Sequence, residues 1–189
     1  MGKGRGIFAI VSVAGAIWLV IAGCNAGTTQ QAEVVDTLAI GERVTFTSGC
    51  QDCHTPGTLY GEPDMARQLS GSELGWSGPW GVSFPRNLTP DMETGIGSWT
   101  EEQIVTAIRT GMRPDGRLLN PPMPWPMYSR LTDLDAHAVA KYLKSLPPVS
   151  HRVPDIVPPG ATPPLGTAAL YFPPPPAWDA PKTPPAGGQ

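Results

Sequence analysis

The chain has 189 residues, of which 40% are hydrophobic, and its formal net charge at pH 7 is −3. That length accommodates one domain of ordinary size with extensions at its ends. Acidic and basic residues are interspersed, and no basic run with interleaved aromatic residues occurs, so the composition argues against a nucleic-acid-binding protein.

The N-terminal residues predict an export signal. Lys3 and Arg5 precede an apolar stretch over residues 7–21, which is shorter than the roughly 20 residues needed to cross a bilayer. The stretch ends in the sequence IAGC, which is typical of a bacterial lipoprotein signal and makes Cys24 the expected lipidated residue. We therefore expect residues 1–23 to be a signal peptide. The alternative is an uncleaved signal anchor with an incidental cysteine. Both interpretations, the lipoprotein signal and the uncleaved anchor, place the rest of the chain at the periplasmic or external face of a membrane.

A tether and a first helix are expected next. Residues 24–35 are small and polar and predict a tether to a domain over residues 36–149. From Asp36 onward the apolar residues recur at an imperfect helical spacing, which predicts a helix that ends at Ser48-Gly49, before the cysteine motif.

The motif Cys50-Gln51-Asp52-Cys53-His54 has the spacing of covalent haem attachment. Two intervening residues let both thiols point the same way, so each can bond to one vinyl group on the same porphyrin edge. The adjacent histidine is then held beneath the iron. We therefore predict one haem c.

Two other uses of this motif are weaker. A thioredoxin-like redox pair requires a strand–helix–strand setting, which the surrounding sequence does not predict. A zinc site requires about four ligands, and the remaining candidates show no ligand spacing. These candidates are His137, His151 and Cys24.

The rest of the domain predicts a long loop and two helices. Residues 55–98 are rich in proline and glycine, and a haem would supply the core that such a loop lacks. Thr100 begins a helix with a capping box, and Gly111 ends it. Thr132 begins the last helix, and prolines at 147 and 148 stop it. No segment alternates as a strand, so we expect an all-α domain.

The second axial ligand of the iron is expected to be Met123. Prolines at 121, 122 and 124 restrict the backbone around it, which suits a loop that must hold one thioether on iron. A methionine ligand raises the reduction potential relative to a second histidine. Met127 is the second choice, and the alternative for Met123 is a core-filling role.

The C-terminal segment, residues 150–189, is proline-rich and is expected to be extended, partly as polyproline II, with no core of its own. Composition favours a disordered tail that includes His151, whereas His137 is expected to face solvent from the last helix. The alternative is a strap that docks on the domain or on a partner. Its anchoring aromatic residues would be Tyr171, Phe172 and Trp178.

Several motifs within residues 36–149 resemble class I cytochrome c domains, in particular those of the cytochrome subunits of bacterial membrane-bound alcohol, gluconate and aldehyde dehydrogenases. The motifs are Gly49–Pro56, Asn87–Asp91, Thr94–Gly97, Trp99–Gln103, Ala107–Gly111, Met123–Trp125, Leu131–Asp135 and Tyr142–Pro148. The resemblance implies a class I cytochrome c fold, with the first and last helices crossing beside the haem. It also implies haem-binding roles for Cys50, Cys53, His54 and Met123.

Two features depart from that family pattern. The dehydrogenase subunits usually carry three such domains, whereas this sequence has one CxxCH motif. In short class I cytochromes a proline carbonyl, within a Pro-Asn-Leu run, accepts the second N–H of the ligand histidine. Here Arg86 precedes Asn87 and Pro85 lies one place further back, so either of the two carbonyls is a candidate acceptor.

The resemblance implies a membrane-anchored electron carrier without enzymatic activity of its own. It would pass single electrons between a dehydrogenase or another respiratory donor and an acceptor such as a second cytochrome or a terminal oxidase. The alternative is a peroxidase-like haem enzyme or a gas-binding haem module, and the rigid loop at Met123 argues against the open iron that both require. Arg86, Arg113 and Trp99 are candidate contacts of the haem propionates, although ordinary surface or core roles are more common.

Overall fold

The structure is a computed structural model that describes residues 1–2 and 29–172. Cys24, Trp178 and residues 3–23 of the predicted signal peptide lie outside the described residues. The described helices are α1 (Thr29–Thr47), α2 (Cys50–His54), α3 (Glu101–Thr110), α4 (Trp125–Tyr128) and α5 (Asp133–Ser145). Three short strands accompany them: β1 (Leu74–Gly78), β2 (Gly81–Ser83) and β3 (Ala168–Tyr171). None of the helices between residues 29 and 172 has the length and apolar character of a membrane span.

The first and last helices, α1 and α5, pack closely where they meet. A Cβ atom placed on Gly41 would lie 2.1 Å from the carbonyl oxygen of Ala138 and 2.8 Å from the Cβ of Tyr142. Only a residue without a side chain permits this approach of the two backbones. The helix α1 starts at Thr29, so helical structure extends into the segment predicted as a tether.

The ends of α3 and α5 lie where their capping residues predict them. The hydroxyl of Thr100 accepts a hydrogen bond from the Gln103 backbone, and the Gln103 side chain accepts one from the Thr100 backbone. Gly111 closes α3 in a left-handed conformation with a φ of 76°. The helices then share one buried core, made of Val44, Leu69, Ile96, Ile104, Val105, Ala136, Val139, Ala140, Tyr142 and Leu143.

The small sheet corrects the expectation of an all-α domain. Its strand order is β2-β1-β3, with β1 antiparallel to β2 and parallel to β3. The strands are three to five residues long, and β1 and β2 contain glycine, so no local alternation marks them in the sequence. β1 and β2 form a short hairpin, and β3, a distant segment, pairs with the other edge of β1.

Residues 150–172, which we call the strap, also differ from the disordered tail that composition favoured. Val153 and Val157 are buried against Val82 and Phe84. The backbones of Val82 and Val157 exchange two hydrogen bonds of 2.8 Å each. Farther along, the ring of Phe172 lies 5.3 Å from that of Trp76. The strap therefore docks on the domain and contributes to its core.

Candidate functional site

A cavity of about 800 Å³ lies between α2, the helical core and the strap. Its lining includes Cys50, Cys53, His54 and Met123. Met127 is not among the lining residues, and 71% of its surface is exposed. The volume falls in the range of small-molecule and cofactor sites, about 300–1,000 Å³. Much of the remaining wall is apolar and includes Val44, Leu88, Ile96, Trp99, Ile104, Ile108, Leu131, Val139 and Leu143.

The one-turn helix α2 presents both thiols to this cavity. It starts after Gly49, whose φ of 73° is left-handed and turns the chain out of α1. Residues three apart share a face of a helix, so Cys50 and Cys53 both reach the cavity wall. Burial raises the pKa of the Cys50 thiol to about 11 and also raises the pKa of Cys53. A thioredoxin-type nucleophile requires a lowered thiol pKa, so this environment favours uncharged thiols and disfavours that alternative.

His54 is buried and held in one tautomer. Its Nδ1 lies 2.6 Å from the carbonyl oxygen of Arg86, and because a carbonyl only accepts, Nδ1 carries the proton. Burial lowers the pKa of His54, partly offset by this hydrogen bond, so the imidazole is neutral. The lone pair on Nε2 is then available for a metal. Of the two candidate acceptors, the structure selects Arg86, because the carbonyl of Pro85 accepts from the backbone of Ser72 instead.

The loop that carries Met123 is held from two sides. The hydroxyl of Ser83, on β2, donates to the carbonyl of Pro121. On the other side of the loop, a Cβ atom on Gly111 would lie 2.7 Å from Nε1 of Trp125, so the indole packs directly on the end of α3. The backbone of Met123 also bonds within the loop, from its N–H to the carbonyl of Asn120. These contacts hold the loop that brings Met123 to the cavity wall.

Four arginines line the cavity, namely Arg86, Arg113, Arg117 and Arg152. The Nε of Arg113 is buried and has no hydrogen-bond partner within the described part of the protein, while its Nη2 lies 3.2 Å from Asp115. Burial lowers the pKa of this guanidinium. A buried donor without an acceptor at a cavity wall matches an anionic group, and haem carries two carboxylates.

The residues around the cavity therefore fit a covalent haem on four counts. They offer two uncharged thiols for attachment, one oriented neutral imidazole, one thioether, and one guanidinium whose Nε–H is buried and has no partner among the described residues. All three residues suggested as propionate contacts belong to the cavity lining, namely Arg86, Arg113 and Trp99.

Sequence patterns missed several lining residues. Trp76 comes from β1, Tyr128 from α4, and residues 152–155 from the strap. The Tyr128 hydroxyl donates to the carbonyl of Ser48 at 2.8 Å, and burial raises its pKa to about 12. No local pattern reveals these residues, because each reaches the cavity through contacts between distant segments.

The two remaining histidines do not line the cavity. His137 is partly exposed on α5, as predicted, and its Nε2 lies 3.0 Å from the Glu102 carboxylate. His151 belongs to the docked strap instead of a free tail. Its Nε2 lies 2.8 Å from the Glu73 carboxylate.

Comparisons with known proteins identify the family to which the chain is similar. The family model described as cytochrome c matches residues 38–147. The chain is similar to the cytochrome c subunit of a quinone alcohol dehydrogenase of Gluconobacter oxydans, with 36% identity over 147 residues, which are 76% of this chain and 29% of the relative. It is 34% identical over 107 residues to the fructose dehydrogenase cytochrome subunit of Gluconobacter japonicus, covering 57% of this chain and 21% of the relative.

A third relative is a diheme c-type cytochrome of Cereibacter sphaeroides. It is 32% identical over 108 residues, covering 57% of this chain and 36% of the relative. The chain thus matches between 21% and 36% of the length of these three relatives.

Proposed function

The chain belongs to the cytochrome c family, and from that membership we propose that it is a one-electron carrier and not itself an enzyme. Membership implies a covalently bound c-type haem, which supplies one-electron oxidation and reduction at its iron. The observation that carries the proposal is the single cavity that gathers two cysteines, an oriented histidine and a methionine. Electron carriage needs these groups and no protein nucleophile or general base.

Each group has a distinct role in this proposal. Cys50 and Cys53 would form the two thioether bonds, and Nε2 of His54 would be the first axial ligand. The carbonyl of Arg86 orients that imidazole at 2.6 Å. Met123 would be the second axial ligand. The apolar part of the cavity wall would limit the access of water to the iron, which would favour the high potential of a methionine-ligated site.

We propose one haem in this chain, because the sequence contains a single CxxCH motif. The names of two relatives, cytochrome subunits of alcohol and fructose dehydrogenases, favour a dehydrogenase as the electron donor. The acceptor would be another cytochrome or a terminal oxidase of a respiratory chain. Lipidation at Cys24 would hold the carrier on the periplasmic or external face of a membrane.

The ligand assignment is tested with the variants Met123→Ala and Met127→Ala. The oxidised wild-type protein is expected to be low-spin and to show the weak long-wavelength absorption of a sulfur–iron bond. Met123→Ala should lose that band, lower the reduction potential and bind carbon monoxide when reduced, because the thioether is gone. Met127→Ala should leave all three properties unchanged, because Met127 is exposed outside the cavity.

Two outcomes would contradict parts of this proposal. Loss of the band in the Met127 variant, with the band kept in the Met123 variant, would transfer the ligand role to Met127 and leave electron carriage intact. A wild-type protein that is high-spin and binds carbon monoxide at once would instead favour the haem-enzyme or gas-binding alternative.

A further inference from the structure

The strap forms one wall of the cavity close to His54. Four consecutive strap residues, 152–155, belong to the lining. Val153 is buried, and a Cβ atom on Gly71 would lie 2.4 Å from its Cγ2. The N–H of the same Gly71 donates to the carbonyl of His54 at 2.8 Å. The strap therefore packs on Gly71, and Gly71 in turn donates a hydrogen bond to the backbone of His54.

Arg86 joins the strap and the histidine through two different parts of one residue. Its carbonyl accepts the 2.6 Å hydrogen bond from Nδ1 of His54. Its guanidinium donates to the carbonyl of Val153 at 3.0 Å and to the carboxylate of Asp155 at 2.9 Å. A shift of the strap would thus displace Arg86, whose carbonyl accepts the hydrogen bond from His54.

The two contacts of Arg86 with the strap differ in how much they contribute to holding Arg86 and the strap together. The Asp155 side chain is 97% exposed, so its ion pair with Arg86 is screened and contributes little. The bond to Val153 is made to a backbone that its own buried side chain fixes in place. The coupling therefore rests on Val153 more than on Asp155.

We propose that Arg86 is a positioning residue through which the docked strap fixes the hydrogen bond and orientation of His54. This inference rests on the proposed function, in which His54 ligates the iron. A firm hydrogen bond from Nδ1 makes the imidazole a more electron-rich ligand, which favours oxidised iron. A loosened strap should weaken that bond and raise the reduction potential.

The test uses the full-length, haem-loaded protein and two substitutions that preserve charge. Arg86→Lys keeps the positive charge but removes the two-pronged contact to the strap, and Val153→Ala loosens the strap without touching Arg86. Two quantities are measured: solvent exchange of the His54 Nδ1 proton by NMR of the reduced protein, and the reduction potential. Thermal unfolding of each variant is also recorded, so that the exchange and the potential are measured well below the unfolding midpoint of that variant.

Both variants should speed the exchange by about tenfold, the factor expected when one hydrogen bond of ordinary net strength loosens. Both should also raise the potential, and the double variant should change it little more than the larger single variant. The control Arg109→Lys alters a similarly exposed pair with Asp133 that lies outside the cavity lining, and it should change neither quantity.

Wild-type exchange or a wild-type potential in folded Arg86→Lys and Val153→Ala would overturn the proposal. A double variant whose shift equals the sum of the two single shifts would also overturn it, because the two residues would then act independently. The exchange comparison requires no particular second ligand on the iron. It therefore remains decisive even if the Met123 variants contradict the proposed function.

Discussion

Gly41 shows how one missing side chain sets the distance between two helices. It lies on α1 against the carbonyl oxygen of Ala138, at a distance that no Cβ atom tolerates. Ala39, two residues earlier on the same helix, is exposed. Because α1 and α5 form the frame on which the cavity is built, the backbone contact at Gly41 also fixes the cavity wall.

We therefore expect Gly41→Val to destabilise the protein by about 1–3 kcal/mol or more, the usual cost of overpacking a core. The matched control Ala39→Val adds a side chain of the same size on the exposed face and should cost below about 0.7 kcal/mol, a helix-propensity effect. Denaturant unfolding of the haem-loaded protein measures both. Equal stability of the two variants would show that α1 can shift to accept the side chain.

Some site residues could be predicted from neighbours in the sequence and others could not. Cys50, Cys53 and His54 belong to one helical turn, so their spacing alone indicates what they do together. Met123 stands out through the prolines beside it. Arg86 carries no such mark, because its carbonyl and its guanidinium act on segments that lie 32 and 67 residues away.

At the scale of elements, helix ends can be predicted from neighbouring residues, whereas strand pairing cannot. The capping box of α3 joins residues three positions apart, and the sequence predicts it directly. The strand β1 pairs with β3, where Trp76 lies opposite Leu170, and no local signal reveals that register. Composition predicts a disordered strap for the same reason, since its few apolar residues gain burial only from distant partners.

The helices α3 and α5 are joined by a contact whose strength depends on pH. His137 on α5 lies 2.7 Å from the carbonyl oxygen of Asp133 and 3.0 Å from the carboxylate of Glu102 on α3. These acceptors raise the pKa of His137, the Asp133 carbonyl first and Glu102 second. Protonation lets both ring nitrogens donate, so the charged form is favoured in the folded protein.

A raised pKa means that this contact contributes stability below the unfolded pKa of about 6.5 and loses it as pH rises through the folded pKa. His137→Gln should therefore lower the thermal midpoint at about pH 5 more than at about pH 9, where the wild-type imidazole is neutral. The effect should be small, because the side chains are largely exposed and screened. Equal losses at the two pH values would indicate an effect of helix propensity alone.

At the scale of the whole molecule, the proposed lipidation of Cys24 would decide where the protein works. A single fatty chain binds a bilayer only marginally, so stable anchoring requires the several chains of a lipoprotein. Cys24→Ser should abolish lipid attachment and, if the signal peptide is then left uncut, slow the processing of the chain. Mass spectrometry of the mature N-terminus gives the answer. An unmodified Cys24 in the wild type, or a chain that still begins near Met1, would contradict the lipoprotein assignment.

The position of the strap also sets an order of events during folding. The bond from Arg86 to Val153 spans 67 residues, whereas the two cysteines and the histidine of the CxxCH segment lie within one helical turn. Contacts that close such long loops form late, because the chain loses the most entropy in making them. The cavity would thus be open on one side until the strap docks, and its cysteines would stay accessible for attachment of the cofactor. Docking of the strap would close that opening.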